Sequence, residues 1–474
     1  MVNAPLTRSR SRAVGPGDHE FLMDIEKTEA AVNAPRRKFG IWLATALVVG
    51  NIIGSAIFML PASLAPFGWN AVSAWLATVA GALCLAWVFA ELSRGLSDAG
   101  GSYGFMRLAL GESAAFLGAW GYLVSVWSAN AAITIAGVSY LTRLVPPLAA
   151  LPSAAPLVAL VGIWLLTWIN LRGARAAGGV QLVSSIVKLL PFVAVIGLAV
   201  WRLFASRGSV LPPVHAGSFT FAGTSGALGL TLYAMLGLES AAVPADAVEN
   251  PARIVPIATM VGTGLSAIVS IIATCAVALM LPADAVVASK APISDFIAVS
   301  WGSVAGWFVA LCAVVSCFGC LNGWLLIGGE LPASMAGAGA LPRWFGVRNA
   351  AGAPAQSILL GSVITTLLTM MAYTKTGVAA YNFAALLSTA TNLVLYLFCA
   401  LAVVCFMRDG RVPLSRALVL CAAGSLVFVA WAFYGSGWEA LAWGAVLIGA
   451  GWPLYVIARR VSARPVSDVR RHEG

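Results

Sequence analysis

About twelve apolar stretches, each near the length that crosses a membrane, follow one another along this chain with only short polar connections. A hydrocarbon core of ~30 Å takes roughly 20 apolar residues per helix. The stretches fall at 39–64, 69–95, 115–142, 153–171, 179–203, 222–245, 255–282, 302–331, 355–374, 381–407, 415–434 and 438–458. Of 474 residues, 60% are hydrophobic and only 10% charged. Soluble globular chains of this length do not have that composition, so an all-α membrane protein is the expected fold class.

Two of the stretches are interrupted. The first carries Gly50-Asn51-Ile52-Ile53-Gly54-Ser55-Ala56 halfway along, and the sixth carries Gly237-Leu238-Glu239-Ser240. Inside a bilayer, non-helical backbone survives only where protein buries it or where it lines a cavity. Interruptions in corresponding positions of two halves point to the substrate site of a solute carrier. The two lie five stretches apart, and an odd number of crossings per unit inverts the second unit relative to the first. The expected architecture is therefore a 5+5 inverted repeat. It divides the chain into a cytoplasmic N-terminal tail (1–38), a first unit (39–203), a second unit (204–407), helices 11 and 12 (408–458) and a C-terminal tail (459–474).

The net charge of +10 suggests an acidic partner until it is mapped onto the stretches. With both termini cytoplasmic, 22 Lys and Arg fall on the cytoplasmic side and 5 on the other, leaving Lys188 within a stretch. That is the positive-inside asymmetry of a bacterial-type inner-membrane protein. The charge reports topology, and no nucleic-acid partner is expected. Residues 1–37 have no apolar core of a signal peptide and read as a mostly disordered tail. Cys317 and Cys320 form a CxxC within the eighth stretch, where two small residues on one helix face explain them better than metal or redox chemistry. Histidines stand only at 19, 215 and 472, so neither a metal nor another cofactor is expected.

Several polar residues within the stretches have two readings each. Glu239 is a carboxylate near the bilayer centre, which favours ion or proton handling. Alternatively, it is a neutral acid that satisfies backbone groups freed by the interruption. Gly54-Ser55-Ala56 presents amide N–H groups and a hydroxyl at the start of a half-helix, an arrangement suited to a carboxylate; close packing of small residues is the competing account. Lys188 is either a buried ammonium with a partner or a side chain snorkelling to the cytoplasmic face. Trp324 and Tyr233 are aromatics near polar neighbours, able to stack on a cation or simply to pack. Asn130 and Ser388 serve equally as ligand contacts or as glue between helices.

At these residues the chain resembles the amino acid–polyamine–organocation superfamily. Within it, the likeness is to the basic amino acid/polyamine antiporters, closest to the arginine–agmatine and lysine–cadaverine exchangers. The likeness covers about residues 39–458. It is carried by Gly50–Phe58, Gly100-Gly101-Ser102-Tyr103, Gly237-Leu238-Glu239-Ser240-Ala241, Glu249–Pro256 and Gly323-Trp324 in that order. The resemblance implies a leucine-transporter-type fold with alternating access and no enzymatic activity. It implies that Ile53, Gly54, Ser55 and Ala56 hold the substrate carboxylate and that Tyr233 and Leu236 flank its amine. Asn130, Trp324 and Ser388 would contact its side chain. Glu239 would sense protons, with Tyr122 as a gate beside it. The chain departs from the arginine exchangers at Ala56, where they carry glycine, and at Val126, where they carry cysteine; at Tyr233 it departs from the arginine and lysine exchangers alike, which carry tryptophan. Lys188 resembles instead the lysine that stands in for sodium in other members, which argues for proton coupling or plain exchange.

The expected function is exchange of a cationic amino acid, arginine favoured, for its decarboxylated amine or another amino acid. A proton-coupled amino acid importer and a non-transporting membrane sensor are the alternatives. Expected partners are a small amino acid or amine and the lipid bilayer; membrane relatives are often dimers, which leaves a homodimer open.

Overall fold

The computed structural model describes residues 40–54, 56–96, 101–151, 153–173, 187–215, 217–238, 250–375 and 377–462. Ser55, Glu239, the N-terminal tail and most of the C-terminal tail lie outside them. Among the described residues every regular element is helical. The first apolar stretch holds two helices, α1 (Ile41–Ile52) and α2 (Ala56–Leu64); α3 (Asn70–Gly95) occupies the second. A ten-residue helix, α4 (Gly101–Leu110), leads into α5 (Glu112–Leu144), followed by α6 (Ala154–Leu171), α7 (Leu189–Ala205), α8 (Phe221–Tyr233) and α9 (Pro251–Met280). Short α10 (Ala283–Ala288) and α11 (Pro292–Trp301) precede α12 (Ser303–Gly337). Then come α13 (Ala355–Ala372), α14 (Val378–Arg408), α15 (Arg416–Gly435), α16 (Trp438–Gly449) and α17 (Trp452–Ser462). Among the described residues nine helical segments are long and apolar enough to cross a membrane; α2 and α7 are apolar but shorter. The chain is a multi-pass membrane protein.

Local chemistry sets several of the helix starts. Pro251 and Pro292 sit at the first position of their helices, where a missing N–H costs no hydrogen bond. Thr220 and Ser415 cap α8 and α15 by accepting from Gly223 N and Leu418 N, each at 3.1 Å.

The centre of the bundle is α5, buried along nearly its whole length and packed on α12 and α14. Lipid is as apolar as leucine, so close backbone approach and interhelical hydrogen bonds do the work that water exclusion does elsewhere. At Gly121 a Cβ would lie 2.9 Å from the Thr391 carbonyl oxygen, so α5 and α14 touch backbone to backbone there. Tyr140 joins three elements: its hydroxyl donates to the Phe58 carbonyl at 2.9 Å and accepts from Ile293 N at 3.2 Å. Thr78 and Thr231 hydroxyls, 2.6 Å apart, tie α3 to α8, while Trp75 Nε1 donates to Thr274 on α9 at 2.9 Å. These contacts hold fixed the helices that surround the first interruption.

Candidate functional site

The first helix stops through a local turn. Ile53 N still donates to the Val49 carbonyl at 2.8 Å, but Gly54 N reaches back only to Ile52 O, also at 2.8 Å. With Ile53 at φ −73° and ψ 82°, this is an inverse γ-turn. The chain then restarts as α2 at Ala56, whose first-turn N–H groups lack intrahelical acceptors and form the positive end of that helix. Tyr381 on α14 steadies the restart by donating its hydroxyl to the Ala56 carbonyl at 3.1 Å.

The second interruption begins at the end of α8. Tight turns follow Tyr233, with Met235 N donating to Leu232 O at 2.9 Å and Leu236 N to Tyr233 O at 3.3 Å. Gly237 has φ +106°, a conformation that a side chain resists, so glycine is what lets the chain leave the helical path here. Tyr233 packs edge-on against Tyr381, ring centroids 6.0 Å apart. Its hydroxyl donates to the Ala129 carbonyl at 3.4 Å.

Between these breaks lies a small cavity of about 30 Å³, below the ~300–1,000 Å³ typical of small-ligand sites. The interruptions contribute Gly54, Ala56, Tyr233 and Leu236. From α5 come Tyr122, Ser125, Val126 and Ala129, from α12 Cys320 and Trp324, and from α14 Ser388 and Asn392. The described lining carries no charged side chain. Its wall is mostly apolar, and the polar groups on it are hydroxyls and one amide beside ring faces.

Seven of the residues expected from sequence thus share one wall: Gly54, Ala56, Tyr122, Tyr233, Leu236, Trp324 and Ser388. Ile53 and Asn130 are buried but do not line the cavity, and neither amide atom of Asn130 has a hydrogen-bond partner. Lys188 immediately precedes α7 and is 6% exposed, within electrostatic reach of Cys320 on the cavity wall. Ser55 and Glu239 lie outside the described residues. Sequence reasoning passed over Ser125, Asn392 and the wall position of Cys320. Their signal was spacing alone: Asn392 stands one turn after Ser388 on α14, and Ser125 three residues after Tyr122 on α5.

A second, larger cavity of about 370 Å³ lies among α4, α5, α12 and α14, with Tyr103, Arg107, Ser334 and Leu395 on its walls. Tyr122 is the one described residue that lines both spaces. A third cavity, about 260 Å³, lies along α5 past Ile133 and carries Lys290 and Lys375. The Lys375 ammonium pairs with Glu439 at 2.9 Å.

A cavity set at two helix interruptions, inside a bundle of membrane-length helices, is the build of a solute transporter. The model of a family described as amino acid permease matches residues 39–459, and the chain belongs to that family. It is similar to the putrescine transporter PotE of Escherichia coli, 33% identical over 432 residues that cover 89% of this chain and 96% of the relative. The putrescine transporter of Haemophilus influenzae is 31% identical over 90% of this chain and 98% of its own length. The cadaverine/lysine antiporter of Escherichia coli is 31% identical over 71% of this chain and 75% of its own. The protein is accordingly an inner-membrane transporter and not an enzyme, and the basic amino acid/polyamine antiporters are among its homologues.

Proposed function

We propose that the protein exchanges a linear cationic amine for its parent cationic amino acid by alternating access, with the chamber at the two interruptions as the substrate site. The carrying observation is the joining of both interruptions to one cavity through Gly54, Ala56, Tyr233 and Leu236. In this reading, the positive end of α2 faces the amino acid carboxylate, with Ser55 contributing beside Gly54 and Ala56. Trp324 offers a ring face to the cationic side chain. Tyr122 separates the chamber from the larger cavity and acts as the gate. Twelve crossings in a 5+5 inverted repeat, both termini cytoplasmic, complete the architecture.

Arginine with agmatine is one pair that this chemistry accommodates. The relatives' names add putrescine and lysine with cadaverine. Val126, in place of the cysteine of the arginine exchangers, slightly weakens the case for arginine, whereas Tyr233 departs from the arginine and lysine exchangers alike. A second reading, proton-coupled import, is favoured by buried Lys188 behind Cys320, with Glu239 as the proton-sensing partner.

Counterflow in proteoliposomes separates them. Labelled putrescine or lysine is expected to accumulate only in vesicles preloaded with unlabelled putrescine, cadaverine, lysine or arginine. Accumulation in empty vesicles under an imposed pH gradient would instead establish the importer, and binding without flux in either format would leave the sensor.

A further inference from the structure

Asn392 is a feature of the chamber that the carboxylate-and-amine reading leaves unused. It is fully buried on α14 and lines the cavity, yet neither its amide oxygen nor its amide nitrogen has a hydrogen-bond partner. A buried primary amide without partners is costly, about 1–3 kcal/mol of unmet desolvation, and it persists in native structures where something else satisfies it. Its neighbour one turn earlier is in the opposite condition. Ser388 Oγ donates to the Ser125 carbonyl at 3.0 Å, and the two serine hydroxyls lie 2.9 Å apart. The single proton of Ser388 is therefore already committed to joining α14 with α5. On this face of α14, the free hydrogen-bonding capacity belongs to Asn392.

Its position indicates which part of a ligand it meets. Ser388, one turn earlier on α14, lines the same cavity and is the residue that the resemblance sets against the substrate side chain, so Asn392 belongs to the side-chain end of the chamber. The described wall there is uncharged. Asn392 supplies an acceptor oxygen with two lone pairs and a donor NH2. A primary ammonium has three protons to give and, once out of bulk water, needs acceptors for them. The Oδ1 of Asn392 is such an acceptor in a fixed place.

We infer that Asn392 is a specificity-determining residue that accepts a hydrogen bond from the distal primary ammonium of the transported amine or amino acid. The inference rests on the chamber being the substrate site. It shifts the side-chain contact from Ser388 towards Asn392.

The test uses purified full-length protein in proteoliposomes, with putrescine and lysine as probes, and thermal unfolding in detergent as an independent measure of binding. Leucine matches asparagine in shape and removes the unpaired amide, so Asn392→Leu should fold with an unchanged or raised melting midpoint. It should raise KM for putrescine about 10- to 100-fold, the loss of a hydrogen bond to a charged group, and reduce the stabilisation that putrescine gives. Asn392→Asp keeps the acceptor oxygens and adds charge. It should shift the ratio of KM values in favour of putrescine, which has two ammoniums and no carboxylate, over lysine. Ala129→Phe fills the chamber from α5 and should abolish uptake. Unchanged KM and thermal shift in Asn392→Leu, with Ala129→Phe blocked, would overturn the role of Asn392 alone. Uptake surviving Ala129→Phe would overturn the chamber as the substrate site and this inference with it.

Discussion

Trp324 shows how a residue that is unremarkable in the sequence gains meaning from its neighbours. The chain has 17 tryptophans, and most pack or face lipid. Trp324 is set apart by lining the chamber with Tyr233 and Tyr122. A cation held over its ring gains about 0.5–2 kcal/mol. Trp324→Leu is therefore expected to raise KM for lysine or putrescine roughly 2- to 30-fold while changing alanine affinity far less; competition assays in vesicles read this directly, and equal losses for alanine and lysine would make the tryptophan a packing residue. Asn392 and Ser125 were hidden at this scale for a physical reason. A lone amide or hydroxyl in an apolar helix looks the same whether it binds a ligand or a neighbouring helix. Only the list of hydrogen bonds separates Ser388, which is engaged, from Asn392, which is not.

Helices interrupted by small residues were the most legible elements. α1 ends at Ile52, within the expected seven-residue cluster, and Gly237 turns the chain just after α8. What the pattern did not reveal was which elements would meet, because apolar residues surround every helix and leave no amphipathic face to read. The close seam of α5 on α14 is one example. Gly121 lies against the Thr391 carbonyl, whereas Gly197 on α7 has open space around its Cβ position. Gly121→Val should lower the melting midpoint, corresponding to about 1–3 kcal/mol of overpacking. Gly197→Ala should raise it slightly, by at most about 1 kcal/mol of helix propensity. If both variants melt alike, the seam is looser than its geometry implies.

For the whole molecule, the permease family was legible from the ordered motifs between residues 39 and 458, and a family match over 39–459 agrees. The identity of the cargo was not, since it depends on a few side chains around one chamber. Exchange without leak requires that the chamber and the larger cavity never open to each other while unoccupied. Tyr122 is the described residue common to both walls. Tyr122→Ala should thus let labelled putrescine enter vesicles that hold no counter-substrate, at a rate that no longer depends on preloading. Strict dependence on preloading in that variant would place the gate elsewhere.

A wall that belongs to two rooms also links what happens in them. Any small molecule that lodges beside Arg107 and Tyr103 and biases the Tyr122 side chain alters the affinity of the inner chamber by some factor. Thermodynamic reciprocity then obliges the chamber's own ligand to alter the affinity of the outer room by the same factor. Occupancy of the larger space that biased Tyr122 would thereby be a handle on cargo affinity, felt equally in both directions, without contact between the two molecules.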